Sequence, residues 1–329
     1  MTIRQLKLPD DLLRITAIAA ETWTYPDHPE WNVQPDEEES LADSMENYKR
    51  IWPSIRVIQF FSPGLRDFLH GHVWEEDERI AGFTQLHRRG TTDTWYISAV
   101  GVHPDFRRRG IARQLVERAI DFVRQRNGKR LLLDVIEGNV PAINLYTKLG
   151  FEHYASNMQL EIQPRSLTSM PNLPAGYRLE RTDDFTWRPR FEFMQRITPE
   201  NLARFEPVEE GRYKKPWLTR LLFPLLKRAE GLEVNRFVVN SPAGEMVAYA
   251  MYDTRTRQTG RNTIMAELDP NCPELASYLV SYMLSKVLAV SPDKFIEFNV
   301  PDWQPALLDA AKEAGFELRA KLLTLGYLL

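Results

Sequence analysis

Apolar residues recur at Ile111, Leu115, Val116, Ala119, Ile120 and Val123, a stripe that predicts an amphipathic helix with arginines in its last turn. The stretch Thr94 to Val102 before it predicts a strand, and the apolar run Leu131–Val135 after it predicts a buried one. Nearer the start, the pattern gives a short strand from Ile3 to Leu8. A helix follows from about Asp10 to Trp23, with Leu12, Leu13, Ile15, Ala19 and Ala20 on its apolar side. A loop rich in aromatics (Trp23, Tyr25, His28, Trp31) leads to a second helix starting near Glu37, whose acidic opening suits a helix dipole. Two strands, Phe68–Trp74 and Arg79–His87, flank the polar turn Glu75–Glu78. Past Val135, a helix from Val140 to Leu149 stops at Gly150, a common C′ residue, and a last strand runs to about Ile162.

The same order of elements returns in the second half. Tyr177–Leu179 followed by Asp183 and Asp184 echoes Ile3–Gln5 followed by Asp10 and Asp11. Glu245–Ala248 echoes Arg79–Gly82, Leu268-Asp269-Pro270 echoes Val102-His103-Pro104, and Gly315-Phe316 echoes Gly150-Phe151. The helix carrying Leu275, Leu279, Val280, Met283, Leu284 and Val287 matches the one after Gly110. Several echoes in one order are an internal repeat. Between the halves, Gln163 to Gly176 is rich in proline, serine and threonine and reads as a linker. The expected organisation is a domain at 1–164, a linker at 165–173 and a second domain at 174–329. The expected class is α/β (α+β), each domain a mixed sheet flanked by helices.

Length supports two domains, since 329 residues exceed one ordinary core. A formal net charge of −3 argues against a dedicated nucleic-acid binder, which would carry a basic excess. The single cysteine, Cys272, cannot form an internal disulfide, and no stretch is long and apolar enough to span a bilayer. A cytoplasmic protein with no membrane or nucleic-acid partner is therefore expected, its oligomeric state open. His70 and His72 share a strand face, but no carboxylate or cysteine completes a metal set at ligand spacing, so no metal is expected.

Chemistry enters at the turn from Val102 to Ala112. A helix opened by Gly110 leaves several N–H groups unpaired and pointing one way, and Gly110 lets a phosphate approach the backbone. Arg107, Arg108 and Arg109 add positive charge, although an arginine-rich solvated helix start would look the same. Downstream stands Asn139-x-x-Ala142-x-x-x-Tyr146-x-x-x-Gly150-Phe151. With Arg107-x-x-Gly110-x-Ala112, this arrangement resembles the GNAT acetyltransferase superfamily over residues 1–164, and the second half resembles it in architecture alone. Together they resemble a tandem GNAT with an intact first and a degenerate second domain.

The resemblance implies an N-acetyltransferase that moves an acetyl group from acetyl-CoA to a primary amine, on a small molecule or a peptide. It implies that the amides from Arg107 through Arg108, Arg109, Gly110 and Ile111 to Ala112 hold the pyrophosphate of coenzyme A. Backbone groups near Val100 and Val102 would hold the pantetheine arm, Asn139 would help position it, and the Tyr146 hydroxyl would serve the departing thiolate as general acid. Asp134 falls where the similar alanine acetyltransferases carry a glutamate used as base, with Glu137 and Glu21 as further candidates. The aromatic loop with Glu21, Trp23, Tyr25 and Trp31 lies where such enzymes build the acceptor pocket; a lid packed on the core is the alternative. A non-catalytic acyl-CoA sensor is the rival class.

The second half lacks these features. Glu274 stands in place of Gly110, Pro273 removes an N–H donor, and Gln304 and Ala311 replace Asn139 and Tyr146. A scaffolding or acceptor-pocket role is expected for it.

Overall fold

The computed structural model describes residues 2–61, 67, 69–163, 170–215, 219, 231–256 and 259–329. Of the expected linker, residues 164–169 lie outside the described residues, as does Phe68 at the start of an expected strand. The chain forms two compact units: residues 1–154 with 323–329, and residues 155–322. These are not the sequence halves. The last seven residues count with the first unit, and residues from 155 onward count with the second.

In the first unit, β1 (Thr2–Gln5) leads to α1 (Asp10–Thr22) and α2 (Pro35–Phe61). Then follow β2 (His70–Glu76), β3 (Arg79–Arg88) and β4 (Thr94–Val102), α3 (Ile111–Gln125), β5 (Arg130–Ile136) and α4 (Val140–Lys148). The sheet runs β1-β2-β3-β4-β5, antiparallel except between β4 and β5. The β2–β3 hairpin turns on Asp77 and Glu78, both at positive φ, so the turn is two residues long rather than the expected four. Within α3, Val116, Ala119 and Val123 are fully buried against Trp95, Leu131 and Leu133, while Leu115 packs with Ile111 on Ala81. On the opposite face of the sheet, Ile15 of α1 packs on Val73, Ile80 and Phe83.

β12 (Glu317–Leu328) ends inside this unit, beside β5, where the Leu329 N–H donates to Lys129 O at 3.0 Å. Leu325 is 2% exposed and shares the core with Tyr146 and Phe151. Tyr327 packs on the Phe151 ring at 5.3 Å.

The second unit contains most of β6 (Glu152–Ile162), then β7 (Arg178–Thr182), α5 (Trp187–Ile197), α6 (Glu200–Ala203) and α7 (Glu210–Tyr213). Next come β8 (Leu232–Asn240), β9 (Met246–Arg255), β10 (Asn262–Leu268), α8 (Ala276–Leu288), β11 (Ile296–Pro301) and α9 (Pro305–Glu313). Its strand order is β6-β11-β10-β9-β8-β7, with β10 and β11 parallel. Leu279, Val280, Met283 and Leu284 of α8 are buried against Ile264, Phe298 and Val300.

Candidate functional site

The site grows out of the parallel pair β4–β5. Their register runs from Thr94 opposite Arg130 to Ile97 opposite Leu133, after which both strands continue unpaired to each other, β4 to Val102 and β5 to Ile136. The divergence starts at a bulge. Ile97 faces Leu86 and Ala99 faces Gln85 on β3, so Ser98 is one residue too many and bends β4 away. Beyond the bulge, the His103 N–H donates to Ala81 O, which makes residues 103, 101 and 99 the hydrogen-bonded set toward β3. Val100 and Val102 therefore turn their backbone groups into the gap. Two contacts agree with this: Val102 O accepts from Arg107 Nε at 3.3 Å, and Val100 O from the Trp23 indole at 3.4 Å.

The loop after β4 has two left-handed residues in close succession, Arg108 at φ 65° and Gly110 at φ 76°. Such a turn aims successive N–H groups at one point, a concavity suited to an anion. α3 starts there, and no side chain caps it, so the N–H groups of Ile111, Ala112 and Arg113 stay free for a ligand. A Cβ at Gly110 would meet nothing closer than Gln114 Nε2 at 4.0 Å, so φ alone, not crowding, favours glycine.

The three arginines, expected to act as one charged group, are used differently. Arg107, exposed like its two neighbours, donates from Nη2 to Thr22 O at 2.8 Å in addition to its bond to Val102 O, and so ties the loop to α1 and β4. Arg109 lies 5.1 Å above the Phe106 ring and 3.4 Å from Glu76. Arg108 is exposed.

Asn139 is the N-cap of α4, its Oδ1 accepting from the Ala142 N–H at 3.3 Å, while its Nδ2 donates to the Tyr25 hydroxyl at 3.4 Å. Trp31 stacks on His28 at 3.8 Å and meets Tyr25 edge-on at 5.6 Å. Trp31 also covers Gly138, where φ is 98° and an added Cβ would stand 3.0 Å from the indole, so the turn before α4 takes no side chain. The aromatic loop thus rests on the β5–α4 turn at Tyr25 and Trp31 and at the β4 gap through Trp23. Burial raises the Tyr25 phenol pKa.

Tyr146 is 7% exposed and packs on Phe151 at 5.9 Å. Its hydroxyl has no hydrogen-bond partner among the described residues. Burial, and then the neighbouring Tyr25, push its pKa well above the ordinary phenol value, so it stays protonated at neutral pH. Leu133 and Val135 share its core, and Asp134 between them points to the other sheet face. There Asp134 Oδ2 accepts from the Tyr96 hydroxyl at 2.7 Å, while Oδ1 is buried without a partner among the described residues. Glu21 is engaged elsewhere, its Oε2 lying 2.8 Å from His103 Nε2. Glu137 is exposed on the loop after β5. The sequence reading missed Tyr96. Its signal was the alternation Trp95-Tyr96-Ile97, which puts it on the Asp134 face.

The equivalent place in the second unit is filled. β10 and β11 pair from Asn262 opposite Ile296 to Ile264 opposite Phe298 and then part. The Asp269 N–H donates to Val247 O as His103 does to Ala81 O, so Leu268 holds the position of Val102. Its N–H donates to Gln304 Oε1 at 3.3 Å and its carbonyl accepts from Gln304 Nε2 at 2.9 Å. Gln304 precedes α9 as Asn139 precedes α4, but with one more methylene it reaches the strand and caps nothing. Glu274 accepts from the Tyr177 hydroxyl at 2.6 Å. Among the described residues no group of three metal-ligating side chains forms, and no helix is long and apolar enough to cross a membrane.

This architecture is that of tandem GNAT proteins. A tandem GNAT protein from the clavulanic acid biosynthesis pathway superposes with a TM-score of 0.65 at 15% identity, covering 99% of this chain and 98% of that one, a likeness of fold. Residues 20–151 match the sequence model of the acetyltransferase (GNAT) family. A streptothricin acetyltransferase of Streptomyces lavendulae is 36% identical over 75 residues, 23% of this chain and 40% of that protein. A peptidyl-lysine N-acetyltransferase of Escherichia coli is 35% identical over 100 residues, 30% of this chain and 62% of that protein. The match thus spans less than two thirds of either relative.

Proposed function

We propose that the chain transfers an acetyl group from acetyl-CoA to a primary amine, using a single site in its first unit. The observation that carries this is the splay itself: backbone groups of Val100 and Val102 turned into a gap, next to an anion-binding loop and an uncommitted buried phenol.

In this reading the amides around Gly110 to Arg113 take the pyrophosphate, and Arg107 holds their loop in shape. Val100 and Val102 take the amide-bearing arm as an added strand would be taken, which requires Trp23 to give up its long bond to Val100 O. The amine attacks the thioester carbonyl, forming C–N as C–S breaks. A strand N–H near Val100 steadies the carbonyl oxygen. Asp134 receives the proton the amine sheds. Tyr146 donates to the departing sulfur; with its phenol held well above the thiol range (~8.5), it starts as a hydrogen-bond donor and yields the proton only as thiolate charge develops.

The two relatives, a streptothricin acetyltransferase and a peptidyl-lysine N-acetyltransferase, point to an amine on a small molecule or on a protein. Release of free coenzyme A from acetyl-CoA would be followed with an alanyl peptide, a lysyl peptide, glucosamine, spermidine and streptothricin. Turnover with one of them, reduced in Tyr146→Phe, supports the reading. Tight acetyl-CoA binding with no turnover over such a panel would favour a non-catalytic acyl-CoA sensor. The second unit is assigned a scaffolding role, since Gln304 and Glu274 occupy its counterpart site.

A further inference from the structure

We infer that Tyr96 is a positioning residue for the acceptor amine: its hydroxyl occupies Oδ2 of Asp134 and reserves Oδ1 for an N–H of the amine. This rests on the acetyl-transfer reading above.

Asp134 is the first residue of β5 past the last paired position, Ile97 opposite Leu133, and so stands at the fork where β4 and β5 separate. Tyr96 lies on β4 opposite Leu132, two residues earlier on β5, on the same sheet face as Asp134. The tyrosine reaches along the parallel register, and its hydroxyl donates to Oδ2 at 2.7 Å. Its ring is held on two sides. His87 sits directly across on β3 with ring centroids 5.5 Å apart, and the Arg89 guanidinium lies 4.9 Å over the ring. With the ring fixed, the hydroxyl can serve one carboxylate oxygen only.

The other oxygen is the informative one. Oδ1 is buried and has no donor among the described residues. A buried carboxylate oxygen without a donor is costly, and a carboxylate kept only for packing would bind both oxygens or neither. The missing donor at this fork is the nitrogen that must approach the thioester. During transfer the N–H bond breaks toward Oδ1 as C–N forms and C–S breaks; the carboxyl later returns that proton to solvent, and Tyr146 regains one. Electrons and protons balance without a further reactant.

A merely structural tyrosine would change stability. A positioning tyrosine changes turnover through Asp134. The test compares Tyr96→Phe, Asp134→Asn and the double variant of the full chain, using whichever amine of the panel above is acetylated fastest. Expected for Tyr96→Phe is a drop in kcat of roughly tenfold to a hundredfold, the worth of a hydrogen bond to a charged group. Acetyl-CoA affinity stays as in the wild type, the melting temperature falls by no more than the lost hydrogen bond is worth, and on the Asp134→Asn background the second change costs no further turnover. Unchanged turnover in Tyr96→Phe, or losses that multiply in the double variant, would overturn the positioning role alone. A wild-type chain that binds acetyl-CoA yet acetylates no amine would instead overturn the acetyl-transfer reading, and this inference with it.

Discussion

Gln304 and Leu268 are joined by two hydrogen bonds, the side-chain amide of one taking both the N–H and the carbonyl of the other. The pair takes up both backbone groups of the residue that corresponds to Val102, of which only the carbonyl is engaged in the first unit, by Arg107 Nε. It also makes a stability prediction. Gln304 is 4% exposed, so Gln304→Leu would leave two buried backbone groups without partners, at about 1–3 kcal/mol each. Chemical denaturation should show a loss of about 2–6 kcal/mol from the second unit's transition, with acetyl transfer unchanged at temperatures where the variant is folded. A neutral effect would mean the pair contributes no stability.

Leu325 offers a parallel test in the first unit. It is among the last residues of the chain, and its side chain packs in the core that holds Tyr146 and Phe151. Leu325→Ala should destabilise by about 2–5 kcal/mol. Removal of residues 323–329 should abolish acetyl-CoA binding by the first unit, measured by calorimetry. Retained binding after that truncation would show that β12 is dispensable to the site.

Arg107 and Arg108 should respond differently to replacement by alanine. Arg107 ties the loop to Val102 O and Thr22 O, so its loss frees the loop and should weaken acetyl-CoA binding by roughly tenfold, about one hydrogen bond to a charged group. Arg108 is exposed and contributes by screened attraction, so its loss should cost less, and its effect should fade at high salt. Equal effects from both would contradict the tethering role of Arg107.

The pH dependence of stability follows from His87. Burial, with Arg89 beside it, lowers its pKa from 6.5 to about 4. Between those values the unfolded chain binds a proton that the folded chain refuses, so stability falls as pH drops from about 6.5 toward 4. In His87→Phe this component of the slope should vanish, read as a smaller change in denaturation midpoint over that interval. An unchanged slope would mean that His87 titrates normally.

Much of the site was legible because it is local. The turn from Arg107 to Ala112 and the segment from Asn139 to Phe151 each set their backbone geometry within a few residues of one strand–helix junction. Glycine and aromatic positions there have backbone reasons that show in the sequence. Tyr96–Asp134 was not legible, because it depends on the register of two parallel strands whose partners lie far apart in the chain. The exchange of the last seven residues into the first unit was hidden for the same reason: alternation marks a strand but not its neighbour. The bonds of Arg107 to Thr22 O and Val102 O were not legible, because charge alone does not reveal which way a guanidinium turns. Gln304 looked like a lost asparagine, and only the geometry shows what its extra methylene reaches.

The central claim is one acetyl-CoA site per chain, at the splay of β4 and β5. Calorimetric titration of acetyl-CoA into the full chain, beside Gly110→Glu, tests it most directly. Glutamate at that left-handed position would strain the loop and set a negative charge against the pyrophosphate. The expected result is one site per chain, lost in the variant while its fold, read by circular dichroism, is kept. Two sites, or binding undiminished in a folded Gly110→Glu protein, would contradict it.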